Sequence, residues 1–396
     1  MVKLKKSRVA VTAIILLLVF LFFWGAFRVK VTPSSYNMSL AELQNVISRE
    51  FYQSVSDEDL YTGAARGMVS ALGDKYAEYF TAEEYAASQQ VKSGKYTGIG
   101  ITFSLDEDGQ FIVVKKISDG PADRAGIELG DLLVSVDGKS LLGLSMTEVS
   151  DLIKAKGENE FTLGLLRDGT AVSVSLRCED VVTERVRYVL LEDNIAYVQI
   201  TGFYGTCAEE FSEALKNFRA DGATALVLDL RGNLGGNLDL MLSIADEVME
   251  EGVVLSIRSR NGGESIYRSH SGSLGVPIAV LVNGSSASAS EALTGALQDS
   301  GVGFAVGTQT YGKGIVQTTF HLTESDGWVK MTTGSYYTPN GRSIHEVGIT
   351  PDIVVEMPED LEGIQPEYLT AEQDIQLQAA IEALKERRKD ADAFSN

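Results

Sequence analysis

The stretch IAVLVNGSSASASEALTGALQD, residues 278–299, decides the fold. Its first five residues are apolar without a break, the pattern of a strand buried on both faces of a parallel sheet. A Gly-Ser turn follows, and the helix SEALTGALQD is predicted to begin at once. Upstream, ALVLDL at 225–230 repeats the pattern and runs into the turn Arg231-Gly232-Asn233-Leu234-Gly235-Gly236, with another helix near LMLSIADEVM at 240–249. IAYVQI at 195–200 and VVLSI at 253–257 read as further strands. AEEFSEALKNFRA at 208–220 reads as a helix with Phe211, Leu215 and Phe218 on one face. Strand–helix alternation over residues 181–357 predicts helices packed on a mostly parallel sheet. Chemistry in such folds collects where strands end and helices begin.

Two such turns carry candidate chemistry. The glycines after ALVLDL let the backbone approach a ligand and leave N–H groups exposed. In the second turn Ser288 stands at a helix N-terminus, where unpaired N–H groups favour developing negative charge. Ser288-x-x-Glu291 is also a capping-box pattern, and on those residues alone the cap is the better reading, because caps are common and nucleophiles rare. Asp229 and Arg231 read as an ion pair or turn support rather than as catalytic acids.

Tyr311-Gly312-Lys313-Gly314-Ile315-Val316-Gln317 shifts the balance. A serine hydroxyl needs a base, and a lysine serves only when its amine is neutral, which requires burial or a nearby positive charge. Lys313 precedes an apolar strand, IVQTTF, which is a route to burial. Gln317 lies four residues on, so strand alternation would turn both side chains the same way and let Gln317 orient the amine. Gly307-x-x-x-x-Gly312-Lys313 nearly matches a phosphate-binding loop, but Gly314 replaces the required Ser or Thr and a strand follows instead of a helix. A Ser-His-Asp triad through His345 stays open, with no aspartate singled out as its partner. His270 and His321 read as surface or strand residues.

The rest of the chain frames this region. With 396 residues, two or three domains are expected. A net charge of −21 repels phosphate backbones, so no nucleic-acid partner is expected. Two cysteines, Cys178 and Cys207, exclude a disulfide framework, and three histidines leave little for a metal; no metal and no cofactor are expected. Residues 9–27 are uncharged and apolar, long enough at ~1.5 Å per residue to span a ~30 Å hydrocarbon core. Lys3, Lys5, Lys6 and Arg8 precede the run and only Arg28 and Lys30 follow closely, which keeps the N-terminus cytoplasmic and exports the body. Trp24 sits where a cleavable signal would have a small residue, so the run reads as an uncleaved single-pass membrane anchor.

Residues 38–90 read as helices, with Leu40, Leu43, Val46 and Ile47 at helical spacing and the stretch 57–80 continuing them. Residues 95–180 change to short strands: GQFIVVKKI at 109–117, DLLVSVDGKSL with the hairpin signal Asp137-Gly138, and one helix with a Ser145–Glu148 capping box. Residues 373–389 read as a charged helical tail.

The entry Tyr96-Thr97-Gly98-Ile99-Gly100-Ile101 followed by GPADRAGIELGDLLVSVDGKSL at 120–141 resembles a PDZ domain. The resemblance implies that the loop Gly98, Ile99, Gly100 and Ile101 offers N–H groups to a peptide's terminal carboxylate while the peptide adds as a strand. VNGSSASASEALTGALQD, GTQTYGKGIVQ and YYTPNGRSIHEVGITPD together resemble the carboxyl-terminal processing (tail-specific) serine endopeptidases. That resemblance makes Ser288 the nucleophile, Lys313 its general base and Gln317 the orienting residue. It places oxyanion donors at the backbone N–H of Ala289 and at one N–H of the Gly235-Gly236 pair. It further implies a homodimer through the helical arm. Ala292 stands where the family usually has Ile, and Ile153-Lys154-Ala155 where it often has Ile-Arg-Gly; the second departure touches regulation rather than catalysis.

The fold predicted is multidomain α/β. It comprises a cytoplasmic stub with transmembrane anchor (1–30), a helical arm (31–92), a PDZ domain (93–180), a crotonase-like α/β peptidase core (181–357) and a helical tail (358–396). The function expected is a membrane-anchored serine endopeptidase with a Ser-Lys dyad, cleaving extracytoplasmic proteins or peptides with apolar C-termini. The competing reading is a non-catalytic PDZ scaffold that only binds peptides.

Overall fold

The computed structural model describes residues 35–394 apart from 107, 118, 271 and 362. The predicted membrane span at residues 9–27 lies outside the described residues. Among the described residues no helix is long and apolar enough to cross a membrane. The chain divides into two compact units, the boundary falling between Met68 and Val69.

The first unit is helical. It contains α1 (Ser35–Glu50) and most of α2 (Asp57–Ser70). α2 buries none of its residues, and Leu43, Val46 and Met68 are each more than half exposed.

The second unit opens differently from the helical reading. After α2 the chain turns, and Glu78–Phe80 forms strand β1 rather than more helix. The stretch EYF pairs antiparallel with a strand some 250 residues later, Glu78 opposite Lys330 and Phe80 opposite Trp328. That tertiary pairing outweighs local preference. Helix α3 (Ala82–Lys92) follows, capped by Thr81 and Glu84.

The β-rich module is built from β2 (Lys95–Gly98), β3 (Ile101–Leu105), β4 (Phe111–Lys116), the short helix α4 (Pro121–Arg124), β5 (Leu132–Val136), β6 (Lys139–Ser140), α5 (Met146–Lys154), β7 (Phe161–Arg167), β8 (Thr170–Leu176) and β9 (Glu179–Val182). Its main sheet runs β3-β4-β5-β7-β8, with β6 on β5 through the Asp137-Gly138 turn, and β2 pairs with β9. Ile99, Phe111, Val113, Leu163 and Leu165 form its core with Val149 and Ile153 of α5. The predicted capping box of α5 is present: the Ser145 N–H donates to Glu148 Oε2 at 2.7 Å, and the Glu148 N–H donates back to Ser145 Oγ at 3.3 Å.

The core domain follows with β10 (Val186–Leu190), β11 (Ile195–Ile200), α6 (Cys207–Ala220), β12 (Ala225–Asp229), α7 (Leu238–Val248), β13 (Gly252–Ser259), β14 (Glu264–Ser269), β15 (Ile278–Val282), α8 (Ala289–Ser300), β16 (Gly303–Gly307), β17 (Ile315–Leu322), β18 (Gly327–Tyr337) and β19 (Ile353–Val354), then α9 (Ile375–Phe394). The predicted parallel sheet has the order β10-β11-β12-β15-β16-β19, with β10 antiparallel at one edge. The inner strands β12, β15 and β16 carry apolar runs because both their faces are covered. Ala196, Val198, Leu226, Leu228 and Val280 face the cluster of α6, α7 and α8. Alternate residues Tyr197, Val227, Leu281 and Val306 share a second cluster with Ala380 and Leu384 of α9. The charged composition of residues 373–389 therefore conceals a structural helix whose apolar stripe closes the sheet's other face.

The strand VVLSI leaves this sheet. As β13 it joins a second, antiparallel sheet of order β1-β18-β13-β14, with β17 on β18. This sheet places the segment after Lys313 beside the turn that bears Ser288.

Candidate active site

Ser288 sits between β15 and α8 at φ +59° and ψ −115°. An ordinary helix cap uses the extended region, so a plain cap needs no such conformation. Backbone held in a sparsely populated region costs about 1–3 kcal/mol and persists only where the surroundings impose it. The surroundings here are dense. Ser286 Oγ donates to the Leu230 carbonyl at 2.8 Å, and the Ala287 N–H and Ser290 Oγ both donate to the Asn233 carbonyl, at 3.0 and 2.8 Å. The two strand-to-helix turns noted in the sequence are thus laced together.

Gly235 and Gly236 make that approach possible. A Cβ on Gly235 would lie 2.6 Å from the Ala287 carbonyl oxygen and 2.8 Å from Ser288 Cβ; one on Gly236 would lie 2.3 Å from the Phe203 carbonyl oxygen. As oxyanion donors the two glycines differ. The Gly235 N–H is taken by Asn233 Oδ1 at 2.9 Å, which removes Gly235 from the expected donors. Gly236 and Ala289 line the same cleft as Ser288, and the cleft continues over Leu238, Leu255, Ile257, Ile315 and Val316. Its walls are apolar and offer no charge to a side chain entering them.

Lys313 lies in the turn before β17. Gly314 beside it admits no side chain, because a Cβ there would lie 2.3 Å from the His345 backbone nitrogen. The Lys313 amine stands over the Tyr76 ring, 4.6 Å from its centroid. Burial holds its pKa below the ordinary lysine range, and the nearby Lys330 ammonium adds to the effect.

The turns of Ser288 and Lys313 are joined by a residue that the sequence offered only as a cap partner. Glu291 is fully buried, and its carboxylate accepts four hydrogen bonds. Oε1 takes Thr310 Oγ1 at 2.6 Å and the Gly312 N–H at 2.7 Å; Oε2 takes the N–H groups of Ser288 and Lys313, each at 2.8 Å. The Tyr336 hydroxyl completes the bracket between the carbonyls of the same two residues, 2.9 Å from that of Ser288 and in contact with that of Lys313. Burial raises the Tyr336 pKa far above its ordinary value, so the hydroxyl keeps its proton. The Ser288-x-x-Glu291 spacing was the available signal for Glu291; its partners at 310–313 left none.

Gln317 sits in β17, where Nε2 donates to Thr332 Oγ1 at 3.1 Å. A register shift between Val316 and Gln317 interrupts the strand's alternation. The spacing of four therefore does not by itself turn Gln317 toward Lys313, and no hydrogen bond joins the two. His345 Nδ1 is buried without a hydrogen-bond partner, so no carboxylate orients it as a triad requires. His270 and His321 are surface residues paired with Asp246 and Asp326.

Arg231 and Asp229 form the expected ion pair, enlarged. Arg231 is 4 % exposed and contacts Asp229 at 2.6 Å and Asp374, just ahead of α9, at 2.7 Å. Tyr197 donates its hydroxyl to Asp229 at 2.7 Å. In the β-rich module the loop carbonyls of Ile99 and Gly100 accept from the N–H groups of Ala122 at 2.9 Å and Ile117 at 2.8 Å, which fixes the loop. β3, beginning at Ile101, is an edge strand.

Residues 194–355 match the profile of peptidase family S41, residues 113–167 that of a PDZ domain, and residues 33–84 that of the activating protease CtpB N-terminal domain. The chain is 31% identical over 316 residues to the carboxy-terminal processing protease CtpA of Bacillus subtilis, covering 79% of this chain and 67% of that protein. It is 34% identical over 330 residues to the carboxy-terminal-processing protease of Bartonella bacilliformis, covering 81% and 75%. The crystal structure of a Bacteroides fragilis protein described as a candidate S41 protease superposes with a TM-score of 0.58 at 14% identity, over 87% of this chain and 97% of that one, a likeness of fold alone.

Proposed function

The chain belongs to peptidase family S41, and from that footing we propose that it hydrolyses peptide bonds through an acyl-enzyme on Ser288 with Lys313 as general base. It is a serine-type carboxy-terminal processing peptidase carrying a PDZ domain. The observation that carries the dyad is the double bracket of Glu291 and Tyr336, which holds the backbones of Ser288 and Lys313 together at the mouth of an apolar cleft.

In the proposed reaction the neutral Lys313 amine takes the Ser288 hydroxyl proton as the oxygen attacks the scissile carbonyl. The N–H groups of Ala289 and Gly236 receive the oxyanion. Lys313 returns the proton to the leaving amine, and water then releases the acyl group by the same route in reverse. The apolar walls of the cleft favour an uncharged side chain before the cut.

The PDZ domain takes the substrate's C-terminus at Gly98, Ile99, Gly100 and Ile101. The edge position of β3 supports this, since an added peptide strand needs an unpaired edge. Residues 9–27 anchor the chain with its N-terminus cytoplasmic and its body extracytoplasmic. The exposed Leu43 and Val46 of the arm support a homodimer formed there.

Ser288→Ala and Lys313→Ala each abolish cleavage of a tailed protein substrate while leaving the fold and the binding of a C-terminal peptide unchanged. Ser288 is the residue labelled by a fluorophosphonate. Cleavage near the wild-type rate in either variant would sink the dyad and return the chain to the scaffold reading.

A further inference from the structure

Asp74, Lys75 and Tyr76 lie between α2 and β1, outside every motif of the sequence. Asp74 Oδ1 accepts from the Tyr76 N–H at 2.9 Å, and Oδ2 accepts from the Thr332 N–H of β18 at 3.0 Å. A short turn is thereby pinned to the strand that pairs with β17. The Tyr76 ring lies under the Lys313 amine, 4.6 Å from Nζ to centroid. Lys75 donates to the Tyr311 hydroxyl at 3.2 Å and stands over the Tyr76 ring at 4.9 Å. Tyr311 is two residues before Lys313, so the turn grips the base loop from both sides.

We propose that Tyr76 is a positioning residue that caps the Lys313 amine against water, and that the Asp74–Thr332 contact holds the cap closed. The inference rests on the reading of Lys313 as general base. A ring beneath an amine acts in two opposed ways: its face attracts the cation, and its bulk excludes the water that would solvate it. The other groups around the amine are Lys330 from β18, which disfavours the charged form, and Tyr311, Glu291 from α8 and Asp74, which favour it. Burial outweighs the favourable group of contacts, and the ring of Tyr76, 4.6 Å from Nζ to centroid, is one of the groups that cover the amine.

The pH dependence of kcat/KM on a tailed peptide, measured with the full chain, tests the cap. Tyr76→Ala admits water and moves the acid limb of the profile up by about one pH unit. That is roughly a tenfold loss at neutral pH, recovered in alkaline buffer. Tyr76→Phe, which keeps the ring, restores the wild-type limb. Asp74→Glu, which keeps the charge but displaces the carboxylate from the Tyr76 and Thr332 N–H groups and so unpins the turn, moves the limb in the same direction, and serves if Tyr76→Ala does not fold by circular dichroism. A limb that stays in place, or moves down, in the folded variant overturns the cap. Wild-type activity in Lys313→Ala would instead overturn the base, which separates the two failures.

Discussion

Ser288 and Lys313, twenty-five residues apart in sequence, donate their backbone N–H groups to one and the same oxygen, Oε2 of Glu291. The registration of the proposed nucleophile and base therefore depends on a fully buried side chain. Hydrogen bonds to a buried charged group contribute about 1.5–3 kcal/mol each, and orphaned donors add their desolvation penalty.

Glu291→Ala is expected to lose at least about 3 kcal/mol of unfolding free energy in denaturant titration, together with turnover. Glu291→Gln keeps the shape but turns a donor toward a backbone N–H. It should fold and lose more than about tenfold in kcat, since misplacing a reacting group by a fraction of an ångström is costly.

The depressed pKa of Lys313 has a thermodynamic signature. The unfolded chain releases this proton at the ordinary lysine value, ~10.4, and the folded chain releases it earlier. Below the folded pKa both states are protonated and the fold carries the whole penalty of the buried charge. Between the two values only the unfolded state binds the proton, so stability rises with pH. Lys313→Met is accordingly expected to be more stable than wild type at pH 7, with a difference that fades as pH passes ~10.4. Urea unfolding across the alkaline range reads this directly.

Gly235→Ala and Gly236→Ala place a methyl group against main-chain oxygen, 2.6 and 2.3 Å away. The turn must withdraw from Ser288. Loss of an oxyanion donor is worth about 10²–10³ in kcat, and a loss of that order is expected in both. Peptide binding by the PDZ domain, followed by fluorescence anisotropy, should not change.

Removing one partner of a buried ion pair costs about 3–5 kcal/mol because the other charge is left without compensation. Arg231→Met, which leaves Asp229 and Asp374 facing each other, should fall in that range by equilibrium unfolding. Arg231→Lys should recover little, because an ammonium cannot reproduce the forked contacts to two carboxylates.

The parallel sheet was readable in the sequence because strands covered on both faces carry unbroken apolar runs, as at 225–230 and 278–282. The two turns that Glu291 joins were visible as long motifs around Ser288 and Lys313. Local patterns could not disclose pairings made at a distance. Glu78–Phe80 looked helical because its partner strand lies near residue 330. Gln317 looked aligned with Lys313 because alternation hides a register shift. Glu291 showed one of its four contacts, since the other three come from residues 310–313. The helix α9 looked like a charged tail because Ala380 and Leu384 are sparse among charges.

Asp374 makes α9 more than a cover for the sheet. The guanidinium behind the glycine turn is gripped from two directions, and one grip is supplied 143 residues downstream. A chain cut between Lys313 and Asp374 would keep Ser288, Lys313 and the cleft walls, yet Arg231, in the turn that carries Gly235 and Gly236, would lose one of its two carboxylates.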